Sequence, residues 1–493
     1  MEVADHNGSG GDVGAQDRNS RLLADVFWLG DDSTSVVLIQ LLEDSLLIGS
    51  YGSTFAEKIA FTDIVGSSAV EYPGVRHGQV VLYVYPKVSG PRTRRCLTFS
   101  LDSRADRQEN IDTCQLWSRA IEARSRGVSV SVQNGRLVIP KSRARHYLIY
   151  VNPFSGTGKA DTLLKTVVLP MLEDAGCTHR LVRSTSAGFV ISHMKEVDLT
   201  GVDCIMAISG DGMLFEIVNG IMERSDHDEV LNSIPLTVIP CGSGNAISGS
   251  INNQVKEYHH ASNAAFVAVK GKPVDLDVME IQGGDGRHLY SVLSIEWGLL
   301  AEIDIKSDSL RHLGPARFML TFAQQIFKFP SFPCRFSYLP ANGDGKCPCA
   351  QPSRQCTCMP PLSSSEPLSE HWVVKTGNYV IVQPTIQTHL TETVQFRRQS
   401  QLCDGRIHLV MCDQQCTRST LCQLFVEMGR LRNRIDDHLG VHDLPALAFR
   451  IEPTRQDGKL GPYHLAVDGE PFPYTDIQGR IHPGMAKILA SLA

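Results

Sequence analysis

From Asp25 to Ser103 the apolar positions fall in short runs rich in β-branched residues: VVLIQLL, SLLIGS, QVVLYVYPKV and CLTFSL, with turn residues between them. Such runs predict strands. The segment that follows, QENIDTCQLWSRAIEA, changes period, because Ile111, Cys114, Trp117 and Ile121 recur at helical spacing. After a basic stretch, KSRARH, apolar strands (YLIYVN, HRLVRS, CIMAIS, PLTVIP) alternate with helical segments that begin near Lys159, Phe189 and Met213. Continuous apolar strands alternating with helices predict a parallel sheet covered on both faces. Beyond Pro273 the pattern returns to strands: VDLDVMEI, LYSVLSIEW, CRFSYLP, NYVIVQP, RIHLVMC, LAFRIEP and HLAVDGEPF, with helical stretches near 308–328 and 418–435. A β-sandwich with helical insertions is the simplest arrangement of these strands.

The expected fold is therefore a three-layer α/β domain over 144–274 and a β-sandwich over 275–493, preceded by a small β-rich domain over 25–125. Several strands closed by one amphipathic helix resemble a pleckstrin-homology-like domain, and docking to lipid or to a partner is weighed there against a stabilising lid. Residues 1–24 are polar, Gly-rich and acidic, which predicts a disordered tail and no signal peptide. A stretch at 340–369, rich in Pro and Ser, reads as a flexible insertion. It holds Cys347, Cys349, Cys356 and Cys358, whose C-x-C pairs are tighter than the usual zinc spacing. A surface loop is thus weighed against a metal site.

Composition narrows the function classes. A net charge of −6 gives no electrostatic reason to expect nucleic-acid binding. No apolar run approaches the ~20 residues that span a bilayer, and Cys177, Cys204 and Cys241 lie singly in apolar segments, as reduced core thiols do. These features predict a cytoplasmic protein, recruited to membranes at most peripherally.

Three glycine loops carry the candidate chemistry. Asn152-Pro-Phe-Ser-Gly-Thr-Gly-Lys159 follows a strand and feeds a helix, a geometry that presents backbone N–H groups to phosphate. Pro153 and Ala160 rule out a Walker A loop, and Asp161 rules out a dinucleotide fingerprint. Alone, this loop is equally a tight turn with a surface lysine. Ser209-Gly-Asp-Gly212 lies again between strand and helix, and a carboxylate between two glycines at a strand end is suited to accept a hydroxyl proton. Glu216 and Asn219 lie one and two turns along the same helix. Cys241-Gly-Ser-Gly-Asn245 offers a further backbone cradle. Ligands of parallel sheets bind beyond the carboxyl ends of the strands, and all three loops fall there. Nucleotide phosphate is the ligand they predict.

At these residues the chain resembles the lipid-kinase family that includes diacylglycerol, ceramide and sphingosine kinases. The likeness runs from about Arg145 to Ala493 and rests on VNPFSGTGKA, SGDGMLFEIVNGIMER and PCGSGNAISGSI in the family's order. It implies ATP in a cleft between the two domains and Mg2+ as its companion. It further implies Asp211 as the catalytic aspartate, with Ser209, Gly210 and Gly212 around the acceptor hydroxyl. The implied ATP contacts are Asn152, Pro153, Phe154, Thr185, Glu216, Gly242, Ser243, Gly244, Arg311, Arg317, Asp468, Gly469 and Glu470, with Glu470 also at the metal. Phe154 stands where the family usually has a basic residue, and RSTSAGFV lacks the acid and His-Ala of its counterpart. The segment SVLSIEWGLLAEIDIKSDSLRHLG is most similar to sphingosine kinases, which implies a sphingoid base as substrate and Asp304 against its amine. Without the resemblance Asp304 would be a solvated loop carboxylate. Ceramide and diacylglycerol kinases are the alternatives, and their substrates carry no cationic amine. A catalytically dead lipid-binding scaffold is a further alternative, opposed by the intact SGDG, Arg311, Arg317 and DGE residues.

Overall fold

The computed structural model describes residues 22–30, 35–50, 56–71, 77–102, 106–242, 244–313, 316–341, 359–362, 367–392, 394–395, 401–428, 438–455, 457 and 459–492. The four cysteines of the CPC and CTC pairs, Ser243 and most of the 340–369 insertion lie outside these residues, as does most of the 1–24 tail.

The N-terminal strands form a seven-stranded antiparallel sheet in the order Ala56–Ala60, Ser45–Ser50, Ser35–Leu41, Leu23–Leu29, Arg95–Leu101, Gly78–Val84, Ile64–Glu71. The sequence pattern had missed three of them: Leu23–Leu29, Ala56–Ala60 and Ile64–Glu71 are short or interrupted by small polar residues. Helix Arg107–Ser125 packs on this sheet through the expected stripe, and Ile111, Cys114, Trp117 and Ile121 are all buried. Trp117 sets its ring edge-on to Phe27 at 5.6 Å, and its Nε1–H donates to Asp25 at 3.0 Å, so the buried indole keeps a partner.

The next strands are parallel, as expected, in the order Thr178–Arg183, His146–Val151, Cys204–Ser209, Leu236–Pro240. Helices Phe189–Glu196, Asp211–Met222, His227–Ser233 and Ala246–Val255 bury Val190, Met194, Ile217 and Ile251 on one face. The segment Ala160–Asp174 and helix Ala261–Lys270 bury Leu164, Met171 and Phe266 on the other. This is the three-layer arrangement that the alternating pattern implies.

One strand absent from the sequence reading ties the molecule together. Ile477–Ser491 pairs parallel to Leu236–Pro240 at Ile488, and antiparallel to both Lys272–Gly283 and Val441–Pro453. Both halves thereby join one 14-stranded mixed sheet among the described residues. Gly479, Pro483 and Gly484 interrupt its apolar alternation, which is why it did not read as a strand. The break is repaired by Asp277, whose carboxylate accepts from the N–H groups of Gly484 (2.8 Å) and Gly405 (2.7 Å) where the register shifts.

Two further differences bear on the site. LYSVLSIEW is two strands, His288–Ser291 and Ile295–Gly298, rather than one, and helix Leu299–Ser307 follows directly. The helical stretch expected near 308–328 is a 3-10 turn, Asp308–Leu313, followed by helix Ala316–Lys328.

The N-terminal sheet is fastened to the α/β layer by buried charge. Arg92 donates twice to Glu257 (3.0 and 2.9 Å) and once to Asp63 (2.8 Å), with its guanidinium 3.8 Å from the Phe266 ring centre. Asp174 accepts from Tyr85 Oη (2.7 Å) and twice from Arg94. Lys270 donates to the carbonyls of Phe61, Ile64 and Ser125.

Candidate active site

The three glycine loops touch one another at the carboxyl ends of their strands. A Cβ placed on Gly156 would fall 2.4 Å from the Cys241 carbonyl, and one on Gly242 would fall 2.4 Å from Gly210 Cα. Such approaches exclude any side chain and leave the backbone open to a ligand. Ser155 Oγ accepts from Gly210 N–H and from Ser209 Oγ, each at 3.2 Å, which joins the first loop to the second. Asn245, in the left-handed region at φ 65, closes the third loop by exchanging hydrogen bonds of 2.9 Å with Gly242.

Asp211 is buried where these loops meet. Its two oxygens accept from the N–H groups of Ala246 (2.8 Å) and Ile247 (3.1 Å), the first residues of helix Ala246–Val255. Burial pushes its pKa up, and the N–H groups of Ala246, Ile247 and Asn245 oppose that shift. Each oxygen retains a lone pair for a further donor.

The C-terminal turn reaches the same place from the far end of the chain. A Cβ on Gly212 would lie 2.5 Å from Glu470 Oε1, and one on Gly469 would lie 3.8 Å from Asp304 Oδ2. Glu470 therefore abuts the Asp211 loop, while Asp304, on helix Leu299–Ser307, lies beside Gly469 of the same turn. Arg317 is buried near Asp304: its Nη1 donates to Asp308 at 2.6 Å, its Nη2 lies 3.9 Å from Asp304 Oδ1, and it stacks over Phe318. Arg311 lies on the 3-10 turn Asp308–Leu313 just before it.

Several residues occupy positions the motifs do not convey. Glu216 accepts from the N–H groups of Gly188 (3.1 Å) and Val190 (3.0 Å), holding the start of the preceding helix, Phe189–Glu196, and hence the loop of exposed Thr185. Asn219 bridges to the backbone of Tyr290. Asp468, at φ 53, points inward and accepts from Ser291 Oγ (2.6 Å) and the N–H groups of Val292, Leu293 and Ser294. Burial raises its pKa to about 6 against those four donors. This clamp splits the long strand of the sequence reading in two. In the first loop, Asn152 Oδ1 accepts from Phe154 N–H at 3.0 Å and the Phe154 ring is 79% exposed, clear of the protein core. Glu392, which no motif marked, donates its N–H to the Gly244 carbonyl at 2.9 Å. Burial raises its pKa, and the charge of Asp211 adds to the shift.

Among the described residues no group of three His, Cys, Asp or Glu side chains is arranged to hold a metal by itself, and no helix is long and apolar enough to cross a membrane. Glu470 beside the glycine loops still suits Mg2+, which takes one or two carboxylates and completes its shell with phosphate oxygens and water.

Comparison with known proteins agrees with this geometry. The diacylglycerol kinase catalytic domain family matches residues 146–281. Sphingosine kinase 1 of Rattus norvegicus is 31% identical over 347 residues, covering 68% of this chain and 88% of that protein. Sphingosine kinase 1 of Homo sapiens is 30% identical over 359 residues, covering 71% and 91%. A solved Bacillus anthracis str. Sterne chain assigned as a diacylglycerol kinase shares the fold with a TM-score of 0.51 at 17% identity, over 73% of this chain and 99% of that one. With its loops, its turn and its relatives in agreement, the chain belongs to the sphingosine kinase family.

Proposed function

We propose that this protein transfers the γ-phosphoryl group of ATP to the primary hydroxyl of a sphingoid base. The observation that carries this reading is the Gly469 turn, which sets Glu470 against the Asp211 loop and passes beside Asp304. One short turn thus spans the distance between a phosphate cradle and a carboxylate suited to an amine.

In this reading the N–H groups of the three loops, with Asn152, Pro153, Phe154, Thr185, Gly242, Ser243, Gly244, Arg311 and Arg317, bind ATP. Glu216 and Asp468 act by holding the backbone around it. Asp211 accepts the proton of the attacking hydroxyl as its oxygen bonds to the γ-phosphorus and the bond to the β-phosphate oxygen breaks, releasing ADP. Ser209, Gly210 and Gly212 shape the space for that hydroxyl. Phosphoryl transfer depends mainly on positioning and on charge stabilisation, which such a cradle supplies. Mg2+ at Glu470 would neutralise phosphate charge. We further assign residues 144–274 to the ATP domain and 275–493 to a β-sandwich that holds the lipid chain. Residues 25–125 form a pleckstrin-homology-like unit, and the protein acts from the cytoplasm on a membrane surface.

Labelled phosphate transfer to sphingosine, ceramide and diacylglycerol tests the reading. Sphingosine is expected as the preferred acceptor, and Asp304→Asn should lower its kcat/KM by at least about 30-fold, the loss typical of breaking a desolvated charge pair. ATP affinity should hardly change. Preference for a neutral acceptor in the unmodified protein would refute the assignment.

A further inference from the structure

We propose that Glu296 is a second acceptor for the cationic head group, working beside Asp304; this rests on the sphingoid-base reading above. Glu296 lies on strand Ile295–Gly298, opposite Ala466 of strand Leu465–Val467. Side chains two apart on a strand share a face, so Ser294 and Glu296 point the same way. Asp468 joins them there, its N–H donating to the Ser294 carbonyl at 2.9 Å. Ser294 Oγ donates to Glu296 Oε1 at 2.7 Å. The other oxygen, Oε2, is buried and has no donor among the described residues. Gln383, whose Nε2 is 3.5 Å from Ser294 Oγ, likewise buries an Oε1 without a donor. Natural interiors satisfy nearly all such atoms, and two buried acceptors left open on residues that share Ser294 Oγ as a partner mark a place for a donor-rich ligand.

The chain then turns sharply at Gly298 (φ 84), where a Cβ would fall 2.6 Å from the Val380 carbonyl, and helix Leu299–Ser307 carries Asp304 back to the Gly469 turn. Glu296 and Asp304 interact by charge. Burial first, and then the Asp304 and Asp468 carboxylates, raise the pKa of Glu296 well above the usual range, opposed by the Ser294 hydrogen bond. The guanidinium of Arg317 reaches this group only at 3.9 Å from Asp304 and is already committed to Asp308. The ligand chemistry that fits is a primary ammonium flanked by hydroxyl groups. On binding, the ammonium donates to Glu296 Oε2 and to Asp304 and keeps all of its protons.

Glu296→Gln tests this, since the amide keeps the size of the side chain and an acceptor for Ser294. KM for the free amine should rise about tenfold or more, with kcat and the KM for ATP within about twofold. KM for N-acylated base should stay unchanged, so the preference for amine over amide narrows. Calorimetry with a water-soluble short-chain base should show the Kd for the free amine rising about tenfold or more in the variant, with the Kd for the N-acylated base unchanged. A merely structural role would weaken the two ligands alike. If Glu296→Gln keeps its KM for amine while Asp304→Asn loses it, Glu296 has no part in recognition and the functional reading survives. If bases are not phosphorylated at all, that reading fails first. Equal losses for free amine and N-acylated base in Glu296→Gln overturn the proposal, and the KM for ATP in the same variant reports whether it folds.

Discussion

At the residue scale, Asp211 serves two ends that pull on the same carboxylate. It holds the first N–H groups of helix Ala246–Val255, and in the proposed reaction it also accepts the proton of the attacking hydroxyl. Helix-terminal carboxylates of this kind stabilise by about 1 kcal/mol, whereas a general base contributes about 10²–10⁴-fold in rate. Asp211→Asn keeps one acceptor but turns an amide N–H toward the helix. We expect kcat to fall at least about 100-fold with only a modest loss of stability and with ATP binding retained, read by single-turnover kinetics and nucleotide titration. Near-normal turnover would leave Asp211 as a cap alone. Glu216 and Asp468 show the limit of reading acids from motifs. Both could be named from sequence, yet their side chains turn to backbone N–H groups, a direction set by neighbours distant in the chain.

At the scale of elements, the cradle depends on how closely its loops approach. Gly242 has no side chain because the Gly210 backbone occupies that space, its Cα 2.4 Å and its N 2.7 Å from where a Cβ would stand. Neither atom is a flexible side-chain end that could swing aside. Gly242→Ala should therefore push the second and third loops apart. A displacement near 1 Å in a phosphate cradle commonly lowers turnover about 100-fold. We expect kcat/KM for ATP to fall by about that factor, measured at saturating base, while the lipid KM changes little. The strand–loop–helix rhythm that announced these loops was legible because it is local: apolar runs, glycines and the next helix lie within about fifteen residues. Helix Leu299–Ser307 was not legible, since GLLAEIDI continues an apolar strand without a punctuating Pro, Asn or Ser, and only the left-handed turn at Gly298 separates the two.

For the whole molecule, the sequence leaves the N-terminal unit, set off by the basic stretch KSRARH, between a docking module and a stabilising lid. The buried network at its base argues for a firmer attachment. Arg92 is almost fully buried, paired with Glu257 and Asp63, and Lys270 spends its donors on carbonyls of the N-terminal unit. Removing one partner of a buried pair leaves an uncompensated charge, at about 3–5 kcal/mol. Arg92→Ala should lower the unfolding free energy of the kinase region by that amount and move its denaturation midpoint down accordingly, and a chain beginning at Ser142 should lose more, since Asp174, Glu257 and Lys270 are bared together. Denaturant titration followed by residual kinase activity checks both. An unchanged midpoint in Arg92→Ala would return the N-terminal sheet to a loosely tethered docking module.

What the sequence determined by itself was the local grammar: a β-rich beginning, an alternating α/β centre, and glycine loops at strand ends with Asp211 between two of them. Periodicity and backbone permissiveness act over a few residues, so they can be read without knowing where the chain goes next. Tertiary structure decided everything that depends on distant neighbours. It made Ile477–Ser491 a shared strand despite Pro483 and Gly484, because Asp277 takes up the hydrogen bonding that the interruption leaves open. It brought Glu470 to Gly212, Asp304 to Gly469 and Glu392 to the third loop. Above all it gave Glu296 its meaning, since a glutamate in a strand becomes a candidate ligand only when burial removes water and its neighbours leave one carboxylate oxygen without a donor.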